Sequence, residues 1–184
     1  RQKYPCFVVA PQCPSDGKWV NVNWSASGHT MTKEPAESLR MSMELLAALE
    51  KEFSIDARRL YVTGLSMGGY GTWDAIQRYP DRFAAAVPIC GGGDSLRVKE
   101  IARLPIWAFH GADDGVVKPQ RSRDMIAALQ QAGGTPRYTE YPKTGHDAWS
   151  ETYSNPKLYE WLLQQRRPAT RTAPPKSRRR PARK

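Results

Sequence analysis

Three residue types spread along the 184-residue chain could together break an acyl bond: a serine, a carboxylate and a histidine. Ser66 stands in Gly64-Leu65-Ser66-Met67-Gly68, the G-x-S-x-G spacing that lets a serine occupy a sharp turn between a strand and a helix. Such a turn strains the backbone at the serine and asks for little bulk two residues before and two after it. It lifts the hydroxyl above the sheet edge and aims the helix N-terminus at the place where an oxyanion would form, with the Met67 N–H as one donor. Two later stretches carry the partners. His110-Gly111-Ala112-Asp113-Asp114-Gly115-Val116-Val117 offers two adjacent carboxylates, and Gly145-His146-Asp147-Ala148-Trp149 offers an imidazole. In that order His146 would take the Ser66 proton and return it to the leaving group. An aspartate would fix the imidazole tautomer and stabilise its cation. Asp113, Asp114 and, farther away, Asp94 are the carboxylates available for that role.

These residues act together only if the fold brings them to one place, and the chain alternates in the way that does so. Phe7–Gln12, Arg59–Thr63, Phe83–Cys90, Pro105–Phe109 and Arg137–Tyr141 read as strands. Between them, Leu39, Met43, Leu46, Leu49 and Phe53 fall at helical spacing after Pro35, and Tyr70–Tyr79 continues as helix until Pro80. Pro119–Ala132 is a helix closed by Gly133-Gly134, and Asn155-Pro156 starts a last one through Leu158, Trp161 and Leu162. Strands alternating with helices predict an α/β fold, a mostly parallel sheet of about five strands with helices on both faces. In such sheets the reacting groups gather beyond the carboxyl ends of the strands, where Ser66, the Asp113-Asp114 pair and His146 all fall.

Composition narrows the remaining possibilities. No apolar run approaches the roughly 18 residues of a membrane span. The formal charge of +10 is concentrated at one end: nine of the 28 Lys and Arg residues and none of the 18 acidic ones lie in 166–184. Residues 1–165 are therefore nearly neutral and read as one catalytic domain, while the Pro- and Arg-rich stretch 166–184 reads as a disordered basic tail. The tail is either a solvated appendage or a weak ligand for polyanions. Cys6, Cys13 and Cys90 have neither C-x-x-C spacing nor a histidine at ligand intervals, so buried free thiols are expected, without a disulfide framework or a metal site.

Other residues near these segments carry a structural and a functional reading. His110 ends an apolar strand and reads as a hydrogen-bonded structural histidine, the alternative being a second base. His29, in the polar stretch 24–30, is a surface-loop residue or borders the cleft. Gly91-Gly92-Gly93 reads as a tight turn beneath the site, since no phosphate-binding pattern follows it. Trp73 and Trp149 either line an acyl pocket or pack in the core.

The motifs Gly-Leu-Ser-Met-Gly-Gly-Tyr-Gly-Thr-Trp-Asp, Pro-Ile-Cys-Gly-Gly-Gly, His-Gly-Ala-Asp-Asp-Gly-Val-Val and Gly-His-Asp-Ala-Trp resemble those of α/β-hydrolases of the phospholipase/carboxylesterase and dienelactone-hydrolase-like group. That group overlaps with prolyl-oligopeptidase-type catalytic domains. The resemblance runs from about Tyr4 to Arg167. It implies Ser66 as nucleophile, His146 as base and, through His-Gly-x-x-Asp-x-x-Val, Asp114 as the acid. It implies ester hydrolysis through an acyl-enzyme with no cofactor and no metal. A serine peptidase sharing the same triad, and a non-catalytic scaffold with a polyanion-binding tail, are the competing readings. In the resembled group a second oxyanion donor comes from a His-Gly loop upstream of the strand matching Phe7–Gln12, and one further strand lies between the equivalents of Phe7–Gln12 and Arg59–Thr63. The expectation is therefore an N-terminally truncated fold with Met67 as its visible donor and turnover lowered on the order of 10² to 10³. A signal peptide, with secretion or export to the periplasm, would be encoded upstream; otherwise the protein is cytoplasmic.

Overall fold

A computed structural model describes residues 5–168, and each strand expected from Arg59 onward forms within a residue or two of its predicted limits. β1 (Tyr61–Leu65), β2 (Ala85–Ile89), β3 (Trp107–Gly111) and β4 (Arg137–Tyr141) make a parallel sheet in the order β1-β2-β3-β4. The register pairs Leu65 with Ile89, Ile89 with Phe109 and Gly111 with Tyr141, so the carboxyl ends of all four strands share one edge. Connecting them are α1 (Glu37–Glu52), α2 (Met67–Arg78), a 3-10 helix (Ser95–Ile101), α3 (Gln120–Gln131), α4 (Trp149–Ser154) and α5 (Pro156–Gln164). The Asn155 side chain caps α5 by accepting from the Lys157 amide, with Pro156 at the first helical position.

Side-chain alternation along the strands divides the core into two layers. On β2, Ala85, Val87 and Ile89 face Phe109, Tyr141, Leu158 and Trp161. Ala86 faces the other way, into a layer of Leu39, Trp73, Ile76, Val98, Ile101, Met125 and Leu129. Helices therefore cover both faces, and β2 is buried at every position. Trp107 stacks on Phe109 at 5.0 Å and meets Trp161 edge-on at 5.4 Å, arrangements that aromatic quadrupoles favour. No helix among the described residues is long and apolar enough to cross a membrane.

Three expectations need correction. Phe7–Gln12 is not a strand: Phe7 and Val8 are 65% and 83% exposed, and the sheet has four strands rather than about five. An extended segment becomes a strand only when its amides pair with a neighbour; among the described residues this one has a ring contact, Phe7 to Phe53 at 5.6 Å, and no strand pairing, while β1 is an edge of the sheet. Cys6 lies in the same segment and is exposed, whereas Cys13 and Cys90 are buried thiols. The basic stretch is also held where it begins. Arg166 pairs with Asp56 at 2.9 Å, the Arg167 amide donates to Arg58 O at 3.0 Å, and the Arg167 guanidinium reaches Arg82 O at 3.2 Å. The rest of the expected tail, from Ala169, lies outside the described residues.

Residues 13–36 have no regular structure, yet buried cations hold them in place. Arg78 pairs with Asp74 at 2.6 Å and donates to Thr32 O and Lys33 O. Burial pushes the Asp74 carboxyl up, against the pull of Arg78. Breaking such a buried pair from one side costs about 3–5 kcal/mol. The loop sets Val20, Trp19, Val22 and Trp24 against Tyr70 of α2 and Val117 beyond β3.

The turn at the end of β1 depends on close backbone approach. A Cβ on Gly64 would lie 2.3 Å from Gly68 O, but one on Gly68 would meet nothing within 4 Å. The constraint is therefore on Gly64, and Gly68 matters only as the backbone that Gly64 touches. Gly64→Ala is expected to lower the stability measured by urea unfolding by at least about 3 kcal/mol. Gly68→Ala should leave it unchanged or raise it by about 0.5–1 kcal/mol, because alanine costs less than glycine in a helix.

Candidate active site

Ser66 sits immediately past β1 at φ 52° and ψ −116°, on the left-handed side of the backbone map that a non-glycine residue rarely enters. Its amide donates to Ile89 O at 2.9 Å, which ties the turn to β2. α2 begins at the next residue. The Met67 amide is thus in a first helical turn, where intrahelical acceptors are absent and the helix dipole is positive.

The loops after β3 and β4 bring the other two groups to this point. His146 Nε2 lies 2.9 Å from Ser66 Oγ, and His146 Nδ1 lies 2.7 Å from Asp114 Oδ2. Because a carboxylate only accepts, Nδ1 carries the proton, and the Nε2 lone pair faces the Ser66 hydroxyl. Asp114 Oδ1 accepts from the Val116 and Val117 amides, each at 2.9 Å. Burial raises the Asp114 carboxyl, but the bonds from His146, Val117 and Val116 outweigh it and hold the group below the usual carboxylate range. Asp113 is exposed, and its amide donates to Thr144 O at 3.0 Å. Asp94 is buried but committed elsewhere, accepting from the Leu96 and Met31 amides at 3.0 and 2.9 Å. Of the three carboxylates open from sequence, Asp114 is the one bonded to His146.

A second buried layer supports this one. His110 is fully buried, with Nδ1 2.8 Å from Ser122 Oγ, Nε2 2.9 Å from Val117 O and Nε2 3.2 Å from Asp114 Oδ2. Burial lowers its pKa, favouring the neutral ring. Cys90 Sγ donates to His146 O at 3.3 Å, and burial pushes the thiol up to about 12. Cys90, His110 and Asp114 bring donor atoms within 4.8 Å of one another, a spacing open to a metal ion, but those atoms are already committed to the bonds just described. Gly91 lets β2 end beneath α2: a Cβ there would lie 2.4 Å from the Gly69 carbonyl carbon, consistent with a tight turn under the site.

The remaining candidates separate cleanly. Trp73 is a core residue with no exposed surface. Trp149 is partly exposed and stands edge-on to His146 at 5.1 Å. His29 is half-buried rather than a free surface residue. It accepts from Arg121 through Nδ1, and burial, then the Arg121 charge, lower its pKa to about 4. Sequence reasoning missed Ser122 and Arg121, both buried at the start of α3. Helical spacing marks them only as an inward face, and nothing local says what they touch.

Residues 23–106 match the model of the prolyl oligopeptidase family. The chain is 30% identical over 170 residues to a poly(3-hydroxyoctanoate) depolymerase of Pseudomonas fluorescens, covering 84% of this chain and 58% of that protein. It is 27% identical over 140 residues to a probable carboxylesterase, SOBER1-like, of Arabidopsis thaliana, covering 72% of this chain and 53% of the relative. It thus spans little more than half the length of either. Among solved structures, a thermostable esterase superposes with a TM-score of 0.71 at 46% identity, over 72% of this chain and 38% of that one. Sheet, strand-end turn and similarity agree: the chain belongs to the α/β-hydrolases of the carboxylesterase and prolyl-oligopeptidase-type group.

Proposed function

We propose that this chain carries the catalytic centre of a serine hydrolase that cleaves carboxylic esters of small molecules through an acyl-enzyme, with Ser66 as nucleophile, His146 as general base and acid, and Asp114 as the orienting carboxylate. The observation that carries the reading is the continuous chain of hydrogen bonds Ser66–His146–Asp114, at 2.9 and 2.7 Å. Ser66 Oγ attacks the ester carbonyl carbon as its proton passes to His146 Nε2. The Asp114 carboxylate stabilises the imidazolium, and the Met67 amide donates to the developing oxyanion. His146 then gives the proton to the departing alkoxide, releasing the alcohol and leaving acyl-Ser66. Water, deprotonated by His146, attacks the acyl carbon, and the acid leaves as Ser66 regains its proton. The esterase and depolymerase relatives support an ester as substrate.

One observation favours a second reading, a serine peptidase: the family model matched over residues 23–106 is that of prolyl oligopeptidases. The triad serves both reactions, which differ in that an amine leaving group must be protonated. The further proposal of a scaffold whose basic tail binds polyanions rests on residues 166–184, most of them outside the described part of the chain.

Kinetics of p-nitrophenyl acetate and butyrate hydrolysis test the assignments. Ser66→Ala and His146→Ala should each lower kcat by about 10³-fold or more, and Asp114→Asn by about 10³–10⁴-fold. Asp113→Asn should stay within about 2-fold, since its side chain is exposed. A panel of acyl esters and aminoacyl amides should give turnover on the esters and little on the amides; the reverse order selects the peptidase reading. Asp114 also links stability to pH. A carboxyl held below its usual range in the fold contributes stability that is fully present above that range and is lost as pH falls through the folded value. The stability gap between the unmodified chain and Asp114→Asn, measured by urea unfolding, should therefore be widest near neutral pH and shrink in acid.

A further inference from the structure

Asp114 Oδ2 has two imidazole neighbours. His146 Nδ1 approaches at 2.7 Å and His110 Nε2 at 3.2 Å. The His110 proton can be placed without ambiguity. Val117 O, 2.9 Å from His110 Nε2, is acceptor-only, so Nε2 carries the hydrogen and shares it between Val117 O and Asp114 Oδ2. With Nε2 protonated and the ring neutral, Nδ1 accepts the single hydrogen of Ser122 Oγ, 2.8 Å away, which leaves none for Gly91 O at 3.0 Å and fixes the other end of the ring. The Asp114 carboxylate is already pinned through Oδ1 by the Val116 and Val117 amides. A further donor on Oδ2 therefore acts mainly on the charge that this carboxylate presents to His146.

We infer that His110 is a positioning residue of this site: its Nε2–H is the second imidazole donor on Asp114 Oδ2, and by sharing that oxygen's charge it limits how strongly Asp114 retains a proton on His146. The inference rests on the Ser66–His146–Asp114 reading above. A carboxylate bonded to His146 alone would set the whole Oδ2 charge against the His146 Nδ1 proton. The charged and titratable groups facing the His110–Asp114 pair are His146 from the loop after β4, Cys90 from the end of β2 and Glu140 from β4. Cys90 is a protonated thiol, and Glu140 is bound to Arg123 at 2.6 Å. His146 is thus the partner through which a change at His110 is read.

Two substitutions of similar polarity separate this role from plain packing. The glutamine amide nitrogen falls where His110 Nε2 lies, so His110→Gln keeps a donor for Asp114. The asparagine nitrogen falls near Nδ1, so His110→Asn reaches Ser122 and leaves Oδ2 with His146 alone. Two readouts apply: the far-downfield proton resonance of the His146 Nδ1–Asp114 bond by NMR, and the pH dependence of kcat/KM on p-nitrophenyl butyrate. His110→Asn should move the resonance farther downfield. It should also shift the acid limb to higher pH, lowering activity on that limb by about 10-fold while the high-pH plateau stays within about 3-fold. His110→Gln should restore both. If His110→Asn leaves both readouts where they were, or if His110→Gln displaces them as far, the inference is overturned. Should His110→Asn fail to fold, Ser122→Ala, which frees the ring at Nδ1, must move the resonance the same way; no movement overturns the inference equally. An unmodified chain without hydrolytic activity would sink the ester-hydrolase reading, and the resonance alone would then decide the role of His110.

Discussion

Parallel pairing places Leu65, Ile89, Gly111 and Tyr141 on one edge of the sheet, and every group that could react leaves the sheet from that edge. Ser66 follows β1 directly, Cys90 follows β2, Asp114 lies three residues past β3 and His146 five past β4. A shift of one residue in the pairing of β3 with β4 would turn the alternating side chains of a strand to the other layer and draw His146 away from Asp114. The two-layer core resists such a slip, because Phe109 and Tyr141 on one face and Ala108 on the other fit only one register. Site geometry and core packing are in this sense a single constraint.

Buried polar groups finish what the sheet begins. Asp114 receives two amides on Oδ1 and two imidazoles on Oδ2, so a buried charge on an otherwise mostly exposed loop is fully bonded. The irregular segment 13–36 is held by arginines rather than by a ladder: Arg78 reaches Thr32 and Lys33, and Arg121 donates to Ser27 O at 2.8 Å and to His29. Those anchors press Trp24 onto Tyr70, one turn along α2 from Ser66. The strain at Ser66 persists because the chain on either side is locked into β1 and α2.

Much of this was legible from sequence because it depends on local patterns. Strand and helix periodicity located β1 to β4 and α1, α2, α3 and α5, since apolar spacing reflects which face is buried. G-x-S-x-G, His-Gly-x-x-Asp-x-x-Val and Gly-His marked three loops whose residues meet in space. Between Asp113 and Asp114 the residue types did not choose, because both lie past the same strand; the resembled pattern His-Gly-x-x-Asp-x-x-Val pointed to Asp114, and in the structure Asp114 is the one that takes the Val116 and Val117 amides and the His146 imidazole. Phe7–Gln12 looked like a strand because Phe-Val-Val has the right composition, but strand formation needs a neighbour that sequence does not display. Ser122, Arg121 and the sharing of Asp114 by His110 were invisible for a related reason. They join residues from different elements, and no periodicity reports such contacts.

Ser66, activated by His146 against Asp114, is the proposed nucleophile. The most direct measurement is intact-mass and peptide-mapping analysis after exposure to a fluorophosphonate probe, with Ser66→Ala and heat-unfolded protein as controls. A single adduct mapping to Ser66, formed by the folded chain and lost in both controls, is the predicted result. No adduct on the folded chain, or labelling that persists in Ser66→Ala, would contradict it.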